Sequence, residues 1–455
     1  MSAGDVARRE LLQLAGGLAV ASGAGGVRVR AAAAPAARVR LDVRDFGAKG
    51  DGAAKDTLAF QQALDRCAML GGGEVVAGPG TYLIGAVAIG PRTTLRVEQG
   101  ATLQGSPDLA DYPLRQVRWE GKFVKGHIGL IHAIDADAIG ITGKGRILGN
   151  PAIKGRIDRP TGNRNPTLME FVECRGVNVR EVFTQQNDMW SIHPIFCSDV
   201  RFADMVVNGG ADGIDVDSCE RVVIERCSFD TADDCISLKS GRGMEGNTIA
   251  RPTLDVRIAD CSFRDSVWAC IGIGSETSGG IRGVLVERCR FLGAKTHAVY
   301  IKSRPGRGAF IEDITMRDLD VSGVQQGFLR FNFLNSGKQD EYPVQGRDGI
   351  PTVGRFAFSD VRVTDVPMLV DGSAVHPDKP LIGLTLSNIR GTCRRGIALA
   401  NAKGVRIEHL DVSGYDGPLL ATHNVSGRGL AGAVALPPPG LGDPVPAPPA
   451  PYVLR

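Results

Sequence analysis

ADGIDVDSC (Ala211 to Cys219), TADDCISLKSG (Thr231 to Gly241), IGIGSETSGG (Ile271 to Gly280) and YIKSRPGRG (Tyr300 to Gly308) are the segments whose reading decides the fold. Each sits in one unit of a repeat. Apolar residues recur at relative positions 0, 2 and 5, as Val200-Phe202-Met205, Val222-Ile224-Cys227, Val256-Ile258-Cys261 and Val284-Val286-Cys289. The pattern begins upstream at Val177-Val179-Val182. It continues downstream at Ile314-Met316-Leu319, Phe356-Phe358-Val361, Leu384-Leu386-Ile389 and Val405-Ile407-Leu410. Apolar residues two apart mark one face of a strand. Unit starts lie 21 to 42 residues apart, and strands recurring at such intervals define a solenoid. A parallel β-helix of roughly ten coils fits, with side chains stacked inward from coil to coil. A leucine-rich repeat fits poorly, because its Leu/Asn consensus is missing and no helical pattern separates the strands.

The spacing also places acidic side chains. Asp212 follows Val200 by 12 residues and Asp234 follows Val222 by 12, so equal coils put one above the other. Neighbouring strands are ~4.8 Å apart, which brings the two carboxyls close, with Asp233 beside them. Like charges at that range push one pKa up, so one acid and one base can coexist at a single pH. Such a pair suits glycosidic bond cleavage, in which one carboxyl protonates the leaving oxygen and another activates water. Asp215 and Asp217 are read as structural, since turn aspartates commonly bond the backbone.

Outward from this centre, residues 1–40 read as an export leader of the twin-arginine kind: Arg8-Arg9, a short apolar run, then small residues. The run is shorter than the ~20 residues that cross a bilayer, and no membrane association is expected. The leader holds six Arg and two acids, so removing it turns the net charge of +3 to about −1. That excludes a general basic field for nucleic acid. Gly makes up 60 of 455 residues, about twice the usual ~7%, as many tight turns require. The ten Cys contain no CxxC, so no zinc pattern arises. Cys227, Cys261 and Cys289 share one slot and are expected to stack inside, with a disulfide between coils left open.

Asp56 is expected to cap a helix whose face is Phe60, Ala63, Leu64 and Cys67, ended by Gly71-Gly72-Gly73. It would cover the first coil. Strand-like segments follow at 74–76, 82–84 and 94–97. Residues 104–126 and 150–167 read as irregular loops walling a cleft. Trp190 and His193 are candidates for reaching substrate. The domain is expected to span 41–430, with 431–455 a disordered Pro-rich tail.

With these residues in view, the chain resembles glycoside hydrolase family 28, the polygalacturonase family. DFGAKGDG (Asp45 to Gly52) and GGGEVVAGPGTY (Gly71 to Tyr82) resemble its N-terminal opening. MWSIHP (Met189 to Pro194) resembles a segment of bacterial members. DGID, DDC, IGSE and YIKS resemble its four central motifs in order. The resemblance, over roughly 41–415, implies an all-β, single-stranded right-handed parallel β-helix with an N-terminal capping helix. It implies inverting hydrolysis of pectic polysaccharides or oligosaccharides without metal or other cofactor. It makes Asp233 the general acid, has Asp212 and Asp234 hold the attacking water, and gives Lys302 a substrate carboxylate. A monomer is expected.

Two positions depart from the family pattern. Trp268-Ala269-Cys270 stands where the family has a His, and Tyr300 where it usually has an Arg. His297, Arg304 or Arg307 are the candidates to replace that Arg. Tyr300 offers a flat ring and Trp268 added bulk, which points to a neutral, deoxy or branched sugar and hence to a rhamnogalacturonan-type fragment. The other readings are a pectate lyase, with Ca²⁺ held by Asp212, Asp215 and Asp217, and a carbohydrate-binding protein that has lost catalysis.

Overall fold

The computed structural model describes residues 39–454, so the leader expectation falls almost wholly outside the described residues. The triplet repeat is a ladder of parallel strands in continuous register from Val179 through Phe202, Ile224, Ile258, Val286, Met316 and Phe358 to Leu386. It also extends N-terminally through Ile141 and Leu95 to Val75 and Leu41, so there are more coils than the triplets alone reveal. Two further ladders run alongside. One passes through Val207, Phe229 and Phe263, the other through Ile192, Ile214, Ile236, Ile271, Val299 and Leu329. Parallel pairing throughout defines a parallel β-helix.

The spacing of the triplet has a backbone cause. In every unit the residue just before the third apolar position is left-handed: Glu181, Asp204, Arg226, Asp260, Arg288, Asp318, Asp360, Asn388 and His409 all have φ of 50° to 64°. Positions 0 and 2 are therefore a short strand, and the left-handed residue turns the chain so that position 5 points inward again. Asp and Asn tolerate this conformation. The Arg residues gain compensation from the neighbouring coil: Arg226 Nε donates to Asp204 Oδ1 at 2.7 Å and Arg288 Nε to Asp260 Oδ1 at 2.8 Å.

Inside, like stacks on like. Phe229, Phe263 and Phe291 form near-parallel stacks with centroids 5.3 and 4.8 Å apart. Cys227, Cys261 and Cys289 are buried in one slot, and every cysteine is a free thiol. The inter-coil disulfide left open by the sequence is not formed.

Helix α1 (Thr57–Met69) buries Ala59, Phe60, Ala63, Leu64 and Cys67 against the strands of the first coils. Its N-terminus differs from expectation. Asp56 makes no bond to the helix's own N–H groups. Its carboxylate accepts instead from Lys49 N (2.7 Å) and Gly50 N (3.0 Å), pinning the preceding turn. Gly71, at φ 98°, ends the helix as expected.

Two other expectations are corrected. Part of 104–126 is an antiparallel hairpin, β1 (Leu114–Trp119) with β2 (Lys122–His127), rather than irregular loop. The Pro-rich tail is extended but engaged: Gln345 Nε2 donates to Pro446 O at 3.0 Å, and Tyr452 meets Tyr342 edge-on at 5.6 Å. Among the described residues no helix is long and apolar enough to cross a membrane.

Candidate active site

Four consecutive strands carry the central motifs: β3 (Ile214–Asp217), β4 (Ile236–Lys239), β5 (Ile271–Ile273) and β6 (His297–Lys302). Ile214, Ile236, Ile271 and Val299 are in register and point into the core. The intervening row, Asp215, Ser237, Gly272 and Tyr300, therefore lies on the outer face, continued by Arg330 on the next strand, β7 (Gly327–Asn332). Asp212 and Asp234 each stand two residues before their strand. Gly213 N donates to Asp234 O at 3.0 Å, so the two turns are stacked as the spacing predicts.

The three carboxyls line one cleft of about 160 Å³ with Arg156, Lys239, Trp268, Glu276, Lys302 and neighbouring small residues. Each acid has its own cation. Lys239 Nζ lies 3.1 Å from Asp212 Oδ2 and 2.5 Å from Asp215 Oδ1. Lys302 Nζ donates to Asp234 Oδ2 at 2.7 Å, and Ala269 N to Oδ1 at 3.1 Å. Arg156 Nη2 donates to Asp233 Oδ2 at 2.5 Å, and Asp234 N to Oδ1 at 2.9 Å. The turn is fixed from behind, because Asp233 O accepts from Thr231 Oγ1 (2.7 Å) and Ser266 Oγ (2.8 Å).

These surroundings push the acids apart. Burial raises Asp234, Lys302 partly offsets it, and the nearby Asp212 and Asp233 charges raise it again, to about 6. Burial also works to raise Asp212, but Lys239 and Arg156 outweigh it and hold the carboxyl below its ordinary value. Asp215, fully buried beside Asp212, is driven well above the carboxylate range. One buried group thus holds a proton while its neighbour stays ionised.

Gly272 makes room for this arrangement. A Cβ built there would lie 2.2 Å from Asp234 Oδ2. Gly272→Ala must displace the carboxyl, and a shift of ~1 Å costs on the order of 10²-fold in rate. We expect that loss in kcat/KM with the fold retained. Steady-state kinetics beside a circular dichroism melt checks it, and undiminished turnover would mean that Asp234 does not need this position.

The sequence candidates divide. Asp212, Asp233, Asp234, Lys302 and Trp268 meet at the cleft, with Trp268 45% exposed. Trp190 borders it but is 2% exposed, packed in a small apolar cluster with Met189, Ala211 and Trp119, with Lys239 Nζ 3.7 Å from its ring centre. His193 is fully buried against Trp190 and 4.0 Å from Asp217, and burial keeps it neutral by pulling its pKa far down, so it does not reach substrate. Arg118 of the hairpin explains this, because its Nε donates to Asp217 Oδ2 at 2.8 Å and closes that end of the outer face. Asp217 is structural, as read. Asp215 is not merely structural, because it shares Lys239 with Asp212.

The proposed replacements for the missing Arg are also corrected. Arg307 is fully buried, its Nε donating to Ser275 O at 2.9 Å. Arg304 Nη1 donates to Gly337 O at 2.7 Å, and His297 is buried beside Tyr300. Tyr300 itself is 7% exposed, its hydroxyl accepting from Asn332 Nδ2 at 3.2 Å, so it presents no open ring to a sugar. Arg156, Lys239, Glu276 and Gly272 were not singled out by sequence. Lys239 carried a signal, since Leu238-Lys239-Ser240 repeats the Ile301-Lys302-Ser303 pattern at the end of its own strand.

A coiled scaffold of parallel strands with a cleft of three cation-paired carboxyls is the architecture of a carbohydrate-cleaving β-helix. Comparison with known proteins makes the class specific. The model of glycosyl hydrolases family 28 matches residues 88–345, and the chain belongs to that family; it is a glycoside hydrolase. A second model, described as rhamnogalacturonase A/epimerase, pectate lyase-like, matches residues 41–116. A probable polygalacturonase of Vitis vinifera is 25% identical over 363 residues, covering 76% of this chain and 72% of that protein. The exopolygalacturonase of Thermotoga maritima superposes with a TM-score of 0.70 at 24% identity, covering 83% of this chain and 92% of that one. The family 28 exopolygalacturonase of Yersinia enterocolitica gives 0.66 at 21% identity, covering 85% and 77%.

Proposed function

We propose that the protein hydrolyses galacturonosyl linkages of pectic polysaccharides or oligosaccharides with inversion. The observation that carries this reading is the set of three stacked-turn carboxyls facing one cleft, each held by a different cation. Asp233 gives a proton to the leaving oxygen as the glycosidic bond breaks. Asp212 and Asp234 hold the water that attacks the opposite face, and its proton passes to one of them. Arg156, its side chain 37% exposed at the cleft, offers a cation that suits an acidic sugar better than a neutral one. With Tyr300 covered, the rhamnogalacturonan-type preference keeps only Trp268 at the cleft as its motive. The outer face is closed beside β3 by the hairpin, which favours binding at a chain end. The Arg8-Arg9 leader supports action outside the cytoplasm.

Incubation with galacturonate oligomers of defined length, followed by chromatography and NMR of the product anomer, tests the reading. Short products of inverted configuration are expected. An ultraviolet-absorbing unsaturated product would replace it with the lyase reading. The donors disfavour that alternative, because Asp212 and Asp215 share Lys239 and Asp217 holds Arg118, leaving these carboxylates already neutralised.

The pH profile separates the two carboxyl roles. If Asp234 holds water as a base, it must be ionised, and kcat/KM falls as pH drops through about 6. Lys302 pulls the Asp234 pKa down, so Lys302→Met should move this limb to higher pH. A limb falling as pH rises through that value would make Asp234 the acid instead.

A further inference from the structure

Both oxygens of Asp233 accept hydrogen bonds, Oδ1 from Asp234 N and Oδ2 from the Arg156 guanidinium. Each oxygen keeps a second lone pair, but a proton on Oδ2 would sit against the Arg156 cation, 2.5 Å away. Withdrawal of Arg156 opens Oδ2 to the leaving oxygen, and something has to compete for its guanidinium.

The loop that supplies Arg156 is built for such a movement of the side chain alone. Its backbone is anchored: Asn165 N donates to Arg156 O at 3.0 Å, Asn165 Nδ2 to the Lys154 and Gly155 carbonyls at 3.0 Å each, and Gly155 N to Asp188 Oδ2 at 2.8 Å. The Arg156 side chain is 37% exposed at the cleft. The two lysines of the cleft are placed differently. Lys239 is buried between Asp212 and Asp215, and Lys302, with its side chain 11% exposed, rests on Asp234, so both are less open to a ligand than Arg156. A planar guanidinium also matches a carboxylate in two-pronged fashion, which a lysine does not.

We propose that Arg156 is the residue that recognises the carboxylate of the bound uronate, and that in doing so it lets go of Asp233 and frees the acid. Binding and activation are one event. A sugar whose carboxylate is masked as a methyl ester gains neither the ion pair nor a released Asp233. This inference rests on the hydrolase reading given above and adds a residue that the sequence motifs do not contain.

The test compares wild type, Arg156→Ala and Arg156→Lys on trigalacturonate and on its fully methyl-esterified form. Wild type is expected to favour the free acid. Arg156→Ala should raise KM for the free acid at least 10-fold and raise kcat/KM on the ester, collapsing the preference, while Arg156→Lys keeps part of it. An unchanged ratio between the two substrates, or equal losses on both, overturns the proposal. Calorimetric titration with galacturonic acid and with galactose answers independently of turnover. Wild type should bind the acid at least 10-fold more tightly and Arg156→Ala should lose that difference. Equal discrimination by both proteins overturns the proposal even if cleavage is normal. Discrimination through Arg156 without any cleavage would uphold it and overturn the hydrolase reading instead.

Discussion

Asp233→Asn is expected to lower kcat on galacturonate oligomers by roughly 10²–10⁴-fold, the usual contribution of a placed general acid. The substitution keeps size and shape and can still accept from Asp234 N through Oδ1. It removes the O–H that a protonated Asp233 gives to the leaving oxygen. Stability should change little. The carboxyl is 28% exposed, and the turn is held by the Asp233 carbonyl through Thr231 and Ser266, contacts the substitution leaves alone. The unfolding midpoint should therefore stay within about 2 °C. A 4-nitrophenyl galacturonoside sharpens the test, because its leaving group departs without a proton. The variant should lose far less on that substrate than on an oligomer. Equal losses on the two would assign Asp233 to something other than proton donation, and full activity on oligomers would remove it from the chemistry.

The carboxyl stack was legible because a solenoid converts sequence phase into position. Once Val200 and Val222 were aligned, Asp212 and Asp234 had to meet, and their backbones are hydrogen-bonded neighbours. Lys302 was legible by resemblance and lies where a strand of known parity puts it. What failed lies off the repeat. Arg156 belongs to a loop without periodicity, so no phase located it. The hairpin at 114–127 alternates around Arg and Lys that snorkel or pair, which hid its strands. That hidden hairpin then misled the reading of His193, which the strand pattern places on the outer face but Arg118 and Trp190 cover. Arg304 and Arg307 look like ligands by residue type alone. Both side chains are buried, and Arg304 Nη1 and Arg307 Nε and Nη2 bond backbone carbonyls of residues 337, 275 and 338, contacts that no local pattern encodes.

Lys239→Met should be the most damaging change to both stability and activity. The ammonium lies between Asp212 and Asp215 and over the Trp190 ring, and all four side chains are almost wholly inaccessible. Burial alone would lower the Lys239 pKa, but the two carboxyls raise it well above the ordinary value. That contribution to stability is present below the ordinary lysine range and is lost only as pH climbs through the raised value. Methionine fills similar space but leaves the carboxyls without a cation, a loss of about 3–5 kcal/mol for a broken buried pair. The penalty must depend on pH. Without Lys239, only Arg156 and the hydrogen bond with Asp215 oppose burial at Asp212, so its pKa rises, and Asp215 rises further. Between the ordinary carboxylate value and the raised ones, the folded variant binds more protons than its unfolded chain, so its stability falls as pH rises. Urea unfolding should show the gap from wild type widest near neutrality and narrow below about pH 3, where both carboxyls of the variant are largely protonated, folded or unfolded. Activity should fall in parallel, because a protonated Asp212 cannot hold the attacking water as a base. An equal stability loss at both pH values would mean that Lys239 acts only by packing on Trp190, with its charge irrelevant to the acids beside it.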